Sequence, residues 1–257
     1  NLAITSSAKV SLSLGHFKDD REYLNGLTNK LLSCEPADRT LVGQSDGLTL
    51  SLLTDAGHEI ALSIPDLSGE TWRDVLTDRV CADDLIERIE STPGICIFVH
   101  ALDFSNDPTI ADVHRAAAAL GEEPEHFTAD SHQQWGDGTA WSSQVALVDL
   151  MQLLSRQFAP EPKRVALVVS AFDVAAGQSP ADWIAENAPL ADQFLRSNAE
   201  TVSVGVFGLS AQGGRFDDAQ ELSELRQRHP LERAYVLDSE GSPVDLDAPI
   251  VWALAVD

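Results

Sequence analysis

The chain has 257 residues, enough for one large domain or two small ones, and 44% of them are hydrophobic, which supplies an ample core. Its 41 acidic against 17 basic residues leave a net charge of −24, which argues against nucleic-acid or anionic-lipid binding through bulk electrostatics and disfavours a polyanionic ligand. Three cysteines (Cys34, Cys81 and Cys96) lack the spacing of a disulfide framework or zinc site, and no apolar stretch approaches the roughly 20 residues of a membrane span; a reduced, cytoplasmic setting without membrane insertion is expected.

Lys9 to Leu14 alternates and meets Gly15, which predicts a first strand. Glu22 to Ser33 reads as a helix with Tyr23, Leu24, Leu27, Leu31 and Leu32 on one face. Leu48–Thr54 and His58–Ile64 alternate around Asp55-Ala56-Gly57, a hairpin signal that makes the first pairing antiparallel. Trp72 to Ser91 predicts one helix, ended by Thr92-Pro93-Gly94. Gly94 to Leu102 is nearly all apolar, the pattern of a buried parallel strand.

Residues 104–140 differ in composition and read as an insertion with one helix near Ile110 to Leu120 and an exposed loop carrying Phe127, Trp135 and Trp141. Ser142–Phe158 is an amphipathic helix and Arg164–Ser170 a second buried strand. Ser179 is placed to cap a helix over Pro180–Ser197. Thr201–Leu209 is a third buried strand, Asp217–Arg228 a polar helix, and Ala248–Ala255 a short apolar element. No repeat, low-complexity tract or linker interrupts this pattern, so residues 1–257 read as one α/β domain.

Three boxes sit at the ends of apolar runs. Asp66-Leu67-Ser68-Gly69-Glu70 follows the hairpin. Ser170-Ala171-Phe172-Asp173 ends the second buried strand, and Ser210-Ala211-Gln212 ends the third. Gly208-Leu-Ser210-Ala-Gln212 also approaches a nucleophile elbow, but that motif requires glycine where Gln212 stands.

The order strand, glycine, helix, hairpin, Asp-x-x-Gly, helix and further strand–helix units resembles a TRAFAC (Ras-like) G domain. Within that class the chain is most similar to the bacterial double-GTPase families of conflict and defence systems, from about Lys9 to Ala255. The resemblance implies a three-layer Ras-like P-loop GTPase fold, with a mostly parallel sheet and one antiparallel hairpin strand. It implies that Asp66 holds Mg²⁺, with Thr40 as the switch threonine. Gly69 would meet the γ-phosphate and Glu70 would position the attacking water. Asp173 would accept from guanine N1–H and N2–H₂, and the backbone at Ser210 and Ala211 would face the guanine oxygen.

Two boxes depart from the family pattern. Ala171 stands where a lysine packs over the base. The phosphate loop, aligned from Gly15, places Asp20, Arg21 and Glu22 where glycine, lysine and serine or threonine are required. Asp19, Asp20 and Glu22 would repel a triphosphate, each contact at about 4 Å costing on the order of a few kcal/mol near a protein surface. Two expectations follow. One is a degenerate GTPase domain with no cofactor, serving as an interaction or regulatory module whose protein partner is an active GTPase or another component of a defence system. The other is a GTP- and Mg²⁺-binding GTPase with an atypical loop, in which Lys18 or Arg21 replaces the missing lysine.

Overall fold

A computed structural model describes residues 12–15, 21–35, 48–65, 75–76, 78, 81–104, 110–121, 142–157, 163–175 and 177–254. Strand β1 (Leu12–Leu14) precedes helix α1 (Arg21–Ser33), and β2 (Leu48–Thr54) and β3 (Glu59–Ile64) form the expected hairpin. Gly57 makes this turn possible: its φ of 79° suits glycine, and its N–H donates to the Thr54 carbonyl at 2.8 Å. The register runs from Leu48 opposite Ile64 to Leu53 opposite Glu59. β1 pairs antiparallel with β2, Leu12 opposite Thr54, so these three strands form a sheet in the order β1-β2-β3.

The second sheet has five strands in chain order: β4 (Gly94–His100), β5 (Arg164–Ser170), β6 (Ser203–Ser210), β7 (Tyr235–Leu237) and β8 (Pro243–Val244). β4, β5 and β6 are parallel, and β7 and β8 add antiparallel to the edge. The helices are α2 (Asp83–Ser91), α3 (Ile110–Leu120), α4 (Ser143–Gln157), α5 (Pro180–Asn187), α6 (Pro189–Ser197), α7 (Ala219–Gln227) and α8 (Ala248–Leu254).

β5 is the centre of the core because its run Arg-Val-Ala-Leu-Val-Val-Ser is apolar on both faces. Alternation sends Val165, Leu167 and Val169 to one side, among Leu147, Met151 and Leu154 of α4 and Trp183 and Ile184 of α5. Ala166 and Val168 go to the other side with Phe207, Val236 and Ala253 of α8. Glycine brings α8 close: a Cβ on Gly94 would overlap the Ala253 carbonyl, and one on Gly205 would lie 2.7 Å from the Trp252 ring nitrogen.

Several expectations need correction. Among the described residues the sheet is not mostly parallel with one antiparallel strand. Two strand pairs are parallel and four antiparallel, divided between two sheets. Hairpin chemistry and apolar alternation give strand existence, but not which strand β1 chooses. The helix expected from Trp72 to Ser91 is interrupted, since Cys81 and Ala82 are non-helical and Ala82 (φ −63°, ψ 139°) immediately precedes α2.

The helix expected over Pro180–Ser197 is two helices. Ala188 (φ −135°, ψ 54°) breaks it because Pro189 disfavours helical backbone at the residue before it. Ser179 does cap α5, accepting the Asp182 N–H at 3.1 Å. β4 is less buried than its apolar run suggests: it pairs only with β5 among the described strands, and Phe98 is 60% exposed. Within the insertion, α3 lies where expected, while Phe127, Trp135 and Trp141 fall outside the described residues.

Candidate functional site

The C-terminal ends of β5 and β6 lie side by side, with Val169 opposite Gly208 and Ser170 opposite Leu209. Crevices outside the carboxyl ends of such strands are where open α/β sheets take ligands. β5 leaves the sheet through Ala171, which adopts a left-handed φ of 53°, and continues into a 3₁₀ turn over Phe172–Ala175. Phe172 is buried against Gly208, where a Cβ would lie 2.6 Å from the Phe172 ring. This anchor holds the turn down and places Asp173 beside the end of β6.

There the fully buried Ser210 donates its hydroxyl to Asp173 Oδ1 at 2.6 Å, and Ser210 Oγ accepts the Gly213 N–H at 2.9 Å. Gly213 is required by this geometry: its φ is +75°, and a Cβ there would lie 2.5 Å from the Arg233 carbonyl oxygen. Tyr235 is paired with Ser210 across β6 and β7, and directly opposite residues share a sheet face. Burial first, and then the Asp173 charge, push the Tyr235 phenol above its usual range.

Asp173 borders a cavity of about 570 Å³ whose walls include Leu102, Val174, Gly213, Gly214 and Arg228. A carboxylate has roughly four lone-pair sites and Ser210 takes one, so Asp173 keeps acceptor capacity toward this space. The loop beyond β6 is anchored by Arg215, whose side chain pairs with Asp217 at 2.7 Å and whose N–H donates to Glu221 at 2.8 Å.

Arg233, whose carbonyl lies beside Gly213, sends its guanidinium to the end of α1. It is buried and donates to the carbonyls of Leu31 and Leu32 at 3.2 and 3.3 Å and to Cys34 Sγ at 2.7 Å. It thereby adds a donor at the C-terminal end of α1, to the Leu32 carbonyl and to the Leu31 carbonyl that also accepts the Cys34 N–H at 3.3 Å. Cys34 itself holds a left-handed φ of 55°.

Asp173, Ser210 and Ala211 are thus brought to one corner, with Ala211 exposed beside it. Ser170 instead donates its hydroxyl to the Val99 carbonyl at 3.1 Å and ties β5 to β4. Gly15 serves the first sheet: its N–H donates to the Ser51 carbonyl at 2.7 Å, and a Cβ would lie 2.6 Å from Ser51 Oγ. Arg21 opens α1, and its side chain lies outside what is described. Lys18, Thr40, Asp66, Gly69 and Glu70 lie outside the described residues altogether. Among the described residues, no group of three or more His, Cys, Asp or Glu could hold a metal ion.

Ser210 is not poised as a hydrolase nucleophile, because its hydroxyl is buried and committed to a carboxylate. Sequence reasoning overlooked Tyr235, Leu102 and the Gly213–Arg233 contact. The doublet Gly213-Gly214 was a visible sign of a special backbone. Nothing local marks the other two.

The α/β architecture with its mixed sheets is consistent with a GTPase-like domain. A family model described as Double-GTPase 1 matches residues 2–253, and the chain belongs to that family. Neither curated proteins nor solved structures give a match. No helix among the described residues is long and apolar enough to cross a membrane.

Proposed function

We propose that this member of the family is a degenerate GTPase domain that still reads a guanine base but has lost triphosphate chemistry. It would act as a regulatory or protein-interaction module in the cytoplasm, alongside an active GTPase or another component of a bacterial defence system. The observation that carries the reading is the bonded corner Asp173–Ser210–Gly213 at the ends of β5 and β6. A carboxylate bordering a cavity suits the paired N1–H and N2–H₂ donors of guanine, which Asp173 would accept.

The corner fits the base, while the sequence opposes the phosphates. Asp20, Arg21 and Glu22 replace the residues that would cradle them, and the chain carries a net charge of −24. Calorimetry with guanosine, GDP, GTP and ATP, with and without Mg²⁺, tests the reading. Guanosine is expected to bind without Mg²⁺ and more tightly than GDP or GTP, whose phosphates are repelled, ATP to bind most weakly, and no phosphate to be released.

A second reading is favoured by the survival of Asp66-Leu-Ser-Gly69-Glu70 in the sequence. In it the domain binds and hydrolyses GTP: Asp66 and Thr40 would hold Mg²⁺, and Glu70 would orient water. Lys18 or Arg21 would supply the cation toward the phosphates. Mg²⁺-dependent GTP binding with phosphate release would establish this alternative and overturn the first.

A further inference from the structure

Leu102 is 61% exposed, although it lies two residues beyond a strand of the second sheet. It is the middle residue of the turn at 101–103 that follows β4, and that turn is fixed against β5 because the Ala101 N–H donates to the Ser170 carbonyl at 3.0 Å. Leu102 and Asp173 therefore issue from neighbouring strand ends, and both line the same cavity with Val174 and Gly213.

We infer that Leu102 is the apolar platform on which a planar purine lies while Asp173 reads its edge. The inference rests on the base-reading function proposed above. The two roles differ physically. An apolar platform acts through buried area and is blind to the pattern of donors and acceptors. A carboxylate acts through hydrogen bonds and distinguishes guanine from adenine. Leu102 makes no structural demand that competes with this role, since most of its surface is in water.

The test is calorimetric titration of the full chain with guanosine and with adenosine, for the native protein and for Leu102→Ser, Leu102→Phe and Asp173→Asn. Leu102→Ser should weaken both nucleosides by about the same factor, roughly tenfold, leaving the guanosine preference intact. Leu102→Phe should match or exceed native affinity. Asp173→Asn should collapse the preference. Leu102→Ser binding like the native chain, or weakening guanosine alone, would overturn the platform while leaving the base-reading function standing. Native protein that fails to prefer guanosine would overturn that function, and the platform with it. Unchanged circular dichroism and melting temperature for Leu102→Ser confirm that binding, not folding, is being read.

Discussion

The Ser210 hydroxyl sits 2.6 Å from Asp173 Oδ1 while accepting the Gly213 N–H at 2.9 Å, so one buried oxygen joins the ends of two strands. Ser210→Ala removes the donor to Asp173 and the acceptor of Gly213 together. Leaving buried polar groups unpaired costs about 1–3 kcal/mol. Denaturant unfolding should show that loss, and guanosine binding should weaken because Asp173 is no longer held.

Gly213→Ala tests the neighbouring contact. The new methyl group would meet the Arg233 carbonyl at 2.5 Å in a left-handed backbone that alanine resists. A destabilisation of about 2 kcal/mol or more is expected. Gly57 offers the control: its φ is also positive, but nothing lies within 4 Å of a Cβ there. Gly57→Ala should therefore cost less, near the strain term alone.

Arg233→Met should uncouple α1 from the second sheet. It removes the donors to the carbonyls of Leu31 and Leu32 and to Cys34. Methionine keeps most of the buried apolar volume, so the loss reports mainly the hydrogen bonds, about 1–3 kcal/mol. Cys34 is 3% exposed in the native chain, and maleimide should label it faster in the variant. A Cys81→Ser, Cys96→Ser background isolates this signal.

Tyr235 supplies a titration. Burial and the charge of Asp173 hold its phenol above the usual value of about 10. Of the chain's two tyrosines, one should therefore deprotonate late in an absorbance titration at alkaline pH. Asp173→Asn removes the repelling charge and should lower that value. The fall should be partial, because burial is the larger cause.

Cys96 predicts alkaline instability. Burial pushes its thiol up to about 11, and the thiol donates weakly to the Pro249 carbonyl at 3.9 Å. An unfolded thiol ionises near 9, so the unfolded state gains from deprotonation before the folded one does. The contribution is complete below pH 9 and is lost as pH rises from 9 toward 11, by up to about 2 kcal/mol. Cys96→Val should flatten this part of the stability–pH curve.

Much of the chain's local order was legible before any coordinates. The β2–β3 hairpin follows from alternation on either side of Asp55-Ala56-Gly57. The buried β5 follows from its unbroken apolar run, and the α5 cap from Ser179 ahead of Pro180. Asp173 and Ser210 were legible as candidates because each stands where an apolar run ends. The break at Ala188 was also readable, from Pro189, but the amphipathic pattern continues across it and hides the interruption.

What the sequence by itself determined is most of the elements, the boxes at Asp66–Glu70, Ser170–Asp173 and Ser210–Gln212, and the residue types Asp20, Arg21 and Glu22 after Gly15. These depend on side-chain type and on spacing along the chain. The tertiary structure alone decided that β1 pairs with β2 and that Tyr235 lies opposite Ser210 across β6 and β7. It alone placed the Arg233 guanidinium at the end of α1 and left Leu102 uncovered beside Asp173. Those outcomes join residues far apart in sequence: Arg233 and Cys34 are separated by 199 positions. Local propensity carries no information about such pairs. They arise only when register and close packing bring their backbones together, with glycine admitted where a Cβ would not fit.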